Sequence, residues 1–243
     1  MRKTKIICTI GPASDNNEVL KAMIENGMNV ARLNFSHGTH EEHQQKIDLI
    51  KQVREEMKKP IAIMLDTKGP EYRIKTFKDK KISLNEGDEF TFTTEDIVGD
   101  QKRVSVTYKE LYKDVVPGTK ILIDDGAIEL KVDEVVGKDI VTTVVHGNPL
   151  GSRKTMNLPG TIIRLPALAE KDIADLKAAC EHEYDYVAIS FARNLDDIAQ
   201  VRKVLDENGG KDIKIITKVE KEHLIFPTEA MRSICNEIIY YYK

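Results

Sequence analysis

The order of strand-like and helix-like segments is the feature that most restricts how this chain folds. Before residue 67, continuous apolar segments predict three strands, over residues 5–10, 28–33 and 60–66. Two segments between them predict helices, over about residues 14–26 and 39–58. Strands that are apolar throughout are typical of a parallel sheet covered by helices. The β-α-β-α-β order therefore predicts an α/β fold.

This order is interrupted between about residues 69 and 165. Short segments rich in Val, Ile, Thr, Phe and Tyr alternate there with turn sequences such as Asp125-Gly126. Residues 120–124 and 140–145 have the spacing of strands and no helical period. We therefore predict an all-β domain, residues 69–165, inserted into the α/β domain.

The α/β pattern returns after the insert, so that residues 1–68 and 166–243 form one domain. Helices are predicted over about residues 170–181, 195–207 and 228–241, and strands over residues 186–190 and 213–217. A complete (β/α)8 barrel has eight strands and takes about 250 residues. With about five strands visible, the α/β domain is either a different open sheet or an incomplete barrel.

Composition and charge exclude several classes of protein. The 37 Lys and Arg residues against 40 Asp and Glu give a net charge of −3, which argues against a nucleic-acid-binding protein. No apolar run approaches the roughly 18–20 residues that span a bilayer, and the N-terminus lacks the pattern of a signal peptide. Three scattered cysteines, Cys8, Cys180 and Cys235, show neither metal-site spacing nor a disulfide framework. We therefore expect a cytoplasmic protein without a membrane partner.

Polar residues follow four of the predicted strands, at the end where α/β proteins bind ligands. They lie in residues 32–37, 66–73, 190–193 and 218–220. A single cation after a strand is commonly a solvated loop residue, and Asp66 alone fits an Asx turn. Together, however, the four ends combine fixed cations with oxygen ligands, as phosphoryl transfer with hard metal ions requires.

Other residues and motifs do not indicate a functional site. His40 and His43 flank Glu41-Glu42 without the spacing of a zinc-binding H-E-x-x-H motif, so a solvated helix face is favoured. Cys8 lies in a strand predicted to be buried and is interpreted as a core residue. The chain has no Walker-type phosphate loop, no G-x-G-x-x-G fingerprint and no G-x-S-x-G nucleophile elbow.

Several segments together closely resemble pyruvate kinases. They are Thr4-Lys-Ile-Ile-Cys-Thr-Ile-Gly-Pro-Ala-Ser14, Gly27-Met-Asn-Val-Ala-Arg-Leu-Asn-Phe-Ser-His-Gly38, Leu65-Asp-Thr-Lys-Gly-Pro-Glu71, Met156-Asn-Leu-Pro-Gly160, Glu170-Lys-Asp172 and Ile215-Ile-Thr-Lys-Val-Glu220. The resemblance covers about residues 1–221. It implies a TIM-type (β/α)8 barrel of which about five strands are present, with the β-rich insert as a lid over the site. It also implies a glycolytic phosphotransferase that converts phosphoenolpyruvate and ADP to pyruvate and ATP with Mg²⁺ (or Mn²⁺) and K⁺.

The resemblance further implies a role for individual residues. Arg32 is similar to the arginine that binds the substrate phosphate, and Lys218 to the lysine that stabilises charge on the transferring phosphoryl group. The residues similar to K⁺ ligands are Asn34, Ser36, Asp66 and Thr67, and Glu71 matches K⁺-dependent members. The residues similar to nucleotide-phosphate contacts are His37, Arg73 and Lys154. Glu220 is similar to one of two Mg²⁺ carboxylates.

The resemblance changes after Lys221. The family's next segments, which carry barrel strands 6–8, are not found, and with them the second Mg²⁺ carboxylate and a catalytic threonine. Residues 226–234 resemble the stretch after strand 8, which implies an internal deletion and no C-terminal domain. Two hypotheses follow: an enzyme of the pyruvate kinase type, or a non-catalytic remnant or interaction module. The second would use the open sheet edge at residues 213–217 for a homo-oligomer or for docking onto another subunit. A third, weaker hypothesis is that the β insert folds and binds a ligand alone.

Overall fold

The computed structural model describes residues 4–219 and 237–240 of the chain. The chain divides into two compact units. Residues up to Pro70, together with those from Pro166 onward, form the α/β unit, and residues Glu71–Leu165 form the β unit.

The first part of the α/β unit has the predicted element order. Its elements are β1 (Ile6–Thr9), α1 (Asn17–Glu25), β2 (Met28–Asn34), α2 (His40–Glu56) and β3 (Ala62–Asp66). Helix α2 begins with a capping box, in which the Thr39 hydroxyl accepts a hydrogen bond from the Glu42 amide and the Glu42 carboxylate accepts one from the Thr39 amide. The N-cap Thr39 lies two residues after His37 and fixes the start of α2 at His40.

The β unit contains eight strands and one short helix. They are β4 (Lys81–Ser83), β5 (Glu89–Thr93), β6 (Arg103–Ser105), α3 (Leu111–Asp114), β7 (Lys120–Ile123), β8 (Ile128–Val136), β9 (Asp139–His146), β10 (Pro149–Gly151) and β11 (Met156–Asn157). Six strands form a sheet in the order β11-β7-β8-β9-β5-β6, and β10 pairs with β4. The sheet packs around a separate apolar core that includes Phe90 and Phe92.

The second part of the α/β unit completes a six-stranded sheet. It contributes α4 (Glu170–Glu181), β12 (Tyr186–Ile189), α5 (Leu195–Glu207), β13 (Lys214–Val219) and β14 (Glu237–Tyr240). All neighbours are parallel in the order β1-β2-β3-β12-β13-β14. The sheet is curled, consistent with part of a barrel. The predicted α/β fold is confirmed, with six strands instead of about five.

Strand β14 corrects two expectations. Residues 237–240 fall in the segment predicted as a helix over 228–241, whereas residues 228–236 lie outside the described part of the chain. β14 also pairs with β13 along the edge that the interaction-module hypothesis treated as open. The Glu-Ile-Ile-Tyr sequence has high strand propensity, and a free parallel edge satisfies its backbone groups.

Strand β1 is more exposed than its apolar sequence predicts. It lies at the outer edge of the sheet, and Ile6 and Ile7 are about 40% exposed. Cys8 is only half-buried, although it packs against the main core, and desolvation raises the pKa of its thiol. Edge position, which local sequence does not encode, explains the difference.

Buried side chains lie on both faces of the central strands of the sheet in the α/β unit. The helices cover one face and form the main core with residues such as Leu33, Ile63 and Leu65. On the other face, Met64, Ala188 and Ile216 form a small buried cluster. Side chains alternate between the two faces along each strand, so the residue two positions after each member of this cluster also lies on the second face. That face forms the floor of the candidate site. Over the described ranges, no helix is both long and apolar enough to cross a membrane.

Candidate functional site

Four strand ends meet at the carboxyl edge of the sheet in the α/β unit. Asp66 of β3 is the register partner of Asn34 on β2 and of Ala188 on β12, and β12 pairs in turn with β13. Each strand thus delivers one side chain beyond the small apolar cluster: Arg32, Asp66, Ser190 and Lys218.

Asp66 is the centre of this group. Its carboxylate is 1% exposed and accepts a hydrogen bond from Arg32 Nε at 2.6 Å, with Arg32 Nη2 also in contact. Lys218 Nζ lies 2.9 Å from Asp66 Oδ1 and 3.2 Å from Oδ2. One buried carboxylate on β3 therefore orients two cations, Arg32 from the neighbouring β2 and Lys218 from β13, which lies two strands away on the other side. We call Arg32, Asp66 and Lys218 the charge centre.

The charge centre carries an excess of one positive charge. The Lys218 side chain is 10% exposed and that of Arg32 is 26% exposed, so both are partly desolvated. Arg32 Nη1 also donates to Thr9 Oγ1 at 2.6 Å, which fixes the guanidinium plane from β1. Fixed, partly dry cations at the open end of a parallel sheet favour an anionic ligand such as a phosphoryl group.

Ser190 locks the strand ends beneath the charge centre. Its hydroxyl donates to the Thr67 carbonyl at 2.5 Å and lies 3.1 Å from Asp66 Oδ1, while its amide donates to Thr67 Oγ1 at 3.2 Å. Gly69 passes so close that a Cβ there would lie 2.4 Å from the Ser190 carbonyl oxygen, and its φ is +68°. Only glycine fits this approach. Sequence reasoning singled out the strand end at residues 190–193 but assigned Ser190 no role.

The segment after β2 carries Ser36 and His37. The Ser36 amide donates to Asn34 Oδ1 at 3.1 Å, and the Phe35 amide donates to the Asp66 carbonyl at 3.0 Å. Asn34 and His37 line a cavity of about 720 Å³ whose other walls include Gly11 and Pro12. The cavity therefore lies beside the strand end that bears Asn34.

The expectation that His40 and His43 belong to a solvated face is wrong for His43. His43 is 3% exposed and stacks on Phe35 with ring centroids 3.9 Å apart. Burial lowers the pKa of His43, and its Nε2 lies 2.8 Å from the His37 carbonyl oxygen. A neutral ring that donates from Nε2 satisfies both observations. His40 is part-exposed and bonds to Asp175.

Arg73 and Lys154 belong to the β unit, where each is held by a carboxylate. Arg73 donates to both oxygens of Glu71, at 2.8 and 2.6 Å, and to the Arg153 carbonyl at 2.9 Å. Lys154 Nζ lies 2.9 Å from both oxygens of Asp124. Arg73 and Thr155 are bridge partners, so Arg73 and Lys154 lie on neighbouring backbone segments of the same unit.

Comparison with known proteins decides the family. The model of the pyruvate kinase barrel domain matches residues 1–237 of this chain. The chain belongs to the pyruvate kinase family. It is 52% identical over 223 residues to a pyruvate kinase of Clostridium perfringens, which covers 91% of the chain and 47% of that protein.

Other pyruvate kinases give similar matches. That of Clostridium acetobutylicum is 46% identical over 98% of the chain and 51% of its own length. That of Staphylococcus aureus strain MRSA252 is 40% identical over 98% of the chain and 41% of its own length. The chain thus spans about half the length of the curated relatives it matches.

The residues expected to bind K⁺ are of the types that such an ion takes as ligands. Asn34, Asp66 and Thr67 bring amide, carboxylate and hydroxyl oxygens to two paired strand ends, and Ser36 follows two residues after Asn34. One carboxylate among neutral oxygens suits a hard monovalent ion. For Mg²⁺, the described residues contain no cluster of three or more potential ligands among His, Cys, Asp and Glu. The expected Mg²⁺ ligand, Glu220, lies outside the described residues.

Proposed function

We propose that this chain carries the phosphoryl-transfer site of a pyruvate kinase, which moves the phosphoryl group of phosphoenolpyruvate to ADP in glycolysis and yields pyruvate and ATP. The observation that most supports this function is the charge centre at the carboxyl ends of the sheet. It supplies two cations without a covalent nucleophile, which is what phosphoryl transfer requires of a protein. We expect the reaction in the cytoplasm.

Arg32 and Lys218 are the proposed phosphate ligands. Asp66 holds both cations before substrate arrives, so little reorganisation is needed as charge develops on the transferring group. The oxygen–phosphorus bond of phosphoenolpyruvate breaks as an ADP phosphate oxygen forms the new bond, and the released enolate takes up a proton from solvent at its terminal carbon to give pyruvate. Lys218, the more buried cation, is the residue on which we place most of the charge stabilisation.

The nucleotide is proposed to occupy the cavity lined by Asn34 and His37. A volume of about 720 Å³ is in the range of small-molecule sites. His37 is then a contact of the nucleotide phosphates. Arg73 and Lys154 are proposed as further contacts of the nucleotide phosphates.

Two metal ions are proposed to complete the site. Asn34, Ser36, Asp66 and Thr67 would hold K⁺, with Glu71 as the residue typical of K⁺-dependent members, and Glu220 would be one ligand of Mg²⁺ or Mn²⁺. When bound, these ions neutralise phosphate charge. Because the sequence after Lys221 lacks the segments for the second carboxylate and the threonine, we expect substrate binding with slow or absent turnover.

The alternative of an interaction module finds less support. The sheet edge that it requires is occupied by β14. Self-association remains a prediction, tested by sedimentation of the purified chain.

The first test measures binding and turnover together. Phosphoenolpyruvate binding is followed by calorimetry, and pyruvate formation is followed with ADP, Mg²⁺ and K⁺. Lys218→Ala should weaken phosphoenolpyruvate binding by about tenfold or more, since it removes a partly buried charge partner. Any turnover should disappear as well.

Lys214→Ala is the matched control. Lys214 is an exposed lysine of the same strand, four residues before Lys218, and lies over the Tyr186 ring. It should leave both measurements unchanged. Equal effects of the two substitutions, or no binding of phosphoenolpyruvate by the unaltered chain, would contradict the proposed function.

A further inference from the structure

A lysine of helix α4 contacts the backbone of the segment next to the cavity. Lys171 Nζ donates to the Phe35 carbonyl at 2.9 Å and to Asp175 Oδ2 at 2.7 Å. Lys171 and Asp175 are four residues apart and therefore share one face of the helix. The Lys171 side chain is 47% exposed, whereas that of Asp175 is 0% exposed. The buried carboxylate thus anchors a lysine whose stem reaches the surface.

The same carboxylate also ties α4 to α2. Its other oxygen, Oδ1, lies 2.6 Å from His40 Nε2, at the first residue of α2. Both oxygens of Asp175 are therefore used, as a fully buried carboxylate requires. We call Lys171 and Asp175, with these contacts, the α4 clamp.

A second contact fixes the other end of the same segment. His43 of α2 donates from Nε2 to the His37 carbonyl at 2.8 Å, and its ring stacks on Phe35. The Phe35 ring also meets Tyr184 edge-on, with centroids 6.2 Å apart. The carbonyls of Phe35 and His37 are thus each bonded to a side chain of a surrounding helix, one on either side of Ser36.

We propose that Lys171 and Asp175 are positioning residues that hold residues 35–37 in the conformation in which His37 lines the cavity. Neither residue lines the cavity itself. The clamp acts by fixing the backbone between Asn34, whose strand β2 bears Arg32 of the charge centre, and α2. Its effect on ligand binding rests on the proposed nucleotide site, whereas its effect on the segment does not.

Hydrogen exchange tests the clamp directly in the full chain. Lys171→Met removes the ammonium but keeps a flexible stem, so it leaves no core cavity. We expect the amides of residues 35–37 to exchange about tenfold faster, with exchange in β2 unchanged. Lys177→Met is the control, because Lys177 is exposed on the same helix. Unchanged exchange at residues 35–37 would overturn the proposal, and so would equal acceleration by the control.

Nucleotide binding tests the positioning role. Calorimetry with ADP, at a temperature where both variants are folded, should show about three- to tenfold weaker binding for Lys171→Met than for Lys177→Met. Lys171→Arg, which keeps the cation, should restore most of the affinity. A purely structural role would instead lower the unfolding midpoint of Lys171→Met and leave the ADP affinity of the folded variant unchanged, and that result would overturn the positioning assignment.

The two proposals fail in different ways. If exchange accelerates as expected but the unaltered chain does not bind ADP, the clamp stands and the proposed nucleotide site is wrong. If ADP binds and Lys171→Met alters neither exchange nor affinity, the nucleotide site stands and the clamp is wrong.

Discussion

Each unit contains a carboxylate paired with a cation, but this contact is buried in the α/β unit and exposed in the β unit. In the α/β unit, Asp66 is 1% exposed and holds Arg32 and Lys218. In the β unit, Asp124 is 38% exposed and Lys154 is 40% exposed. Removing one partner from a buried group strands a desolvated charge, whereas water replaces a lost partner at the surface. The charge centre should therefore contribute strongly to the stability of its unit, whereas the Lys154–Asp124 pair should contribute little.

The sharpest test of this comparison is the same substitution in both units. Asp66→Asn should lower the free energy of unfolding by about 3–5 kcal/mol, because it removes the buried negative charge that both Arg32 and Lys218 contact. Asp124→Asn should cost below about 1 kcal/mol. Urea unfolding of the two variants measures both values. Similar losses would show that burial does not separate the two contacts.

A second substitution tests whether the neutral hydrogen bonds next to the charge centre also contribute to the free energy of unfolding. Ser190→Ala leaves the buried Thr67 carbonyl without its 2.5 Å hydrogen bond and should cost about 1–3 kcal/mol. Thr217→Val is the matched control. Thr217 is 0% exposed, and within the described ranges its hydroxyl has no hydrogen-bond partner. Thr217→Val should leave the free energy of unfolding nearly unchanged. A loss as large as that of Ser190→Ala would show that the hydrogen bond of Ser190 is not the cause of its effect.

The third prediction concerns pH and the buried histidine of the α/β unit. Burial lowers the pKa of His43, so the unfolded chain takes up a proton at a higher pH than the folded chain does. Its contribution to stability should be complete above about pH 6.5 and should decline as pH falls below that value toward the folded-state pKa.

Urea midpoints between about pH 8 and pH 5.5 measure this decline. His43→Gln should flatten it, whereas replacement of the exposed His146 in the β unit by glutamine should not. Identical pH profiles for the unaltered chain and the two variants would show that His43 does not cause the decline.

The smallest expected effect concerns the proposed contact of Lys154 with ADP. Asp124→Asn frees Lys154, so ADP should bind about two- to fivefold more tightly at low salt, and the gain should shrink as salt screens the charges. Glu134→Gln removes an exposed charge elsewhere in the unit and serves as the control. Weaker binding of ADP by Asp124→Asn would mean that the carboxylate presents Lys154 to the ligand instead of competing for it.

Local sequence predicted the element order well because it depends on apolar runs and turns. It also located the strand ends that carry Arg32, Asp66 and Lys218. It could not show that Asp66 bonds to both cations, since that depends on which strands are neighbours and in what register. The exposure of β1 and the burial of His43 depend on tertiary neighbours in the same way. Residues 237–240 were predicted as part of a helix because local sequence does not show that they pair with the edge strand β13.

The position of the β unit in the chain bears on how quickly the curled sheet can assemble. Asp66 and Ser190 are in contact although they are 124 residues apart, so joining β3 to β12 closes a long loop. Within the β unit, however, the Met156 amide donates to the Tyr72 carbonyl at 3.1 Å. Once that unit has folded, the chain between β3 and β12 is shortened about threefold, which lowers the entropic barrier to pairing by about 1 kcal/mol. An insert that folds before the sheet closes would thus bring the ends of β3 and β12 closer together and speed the most distant strand pairing of the sheet.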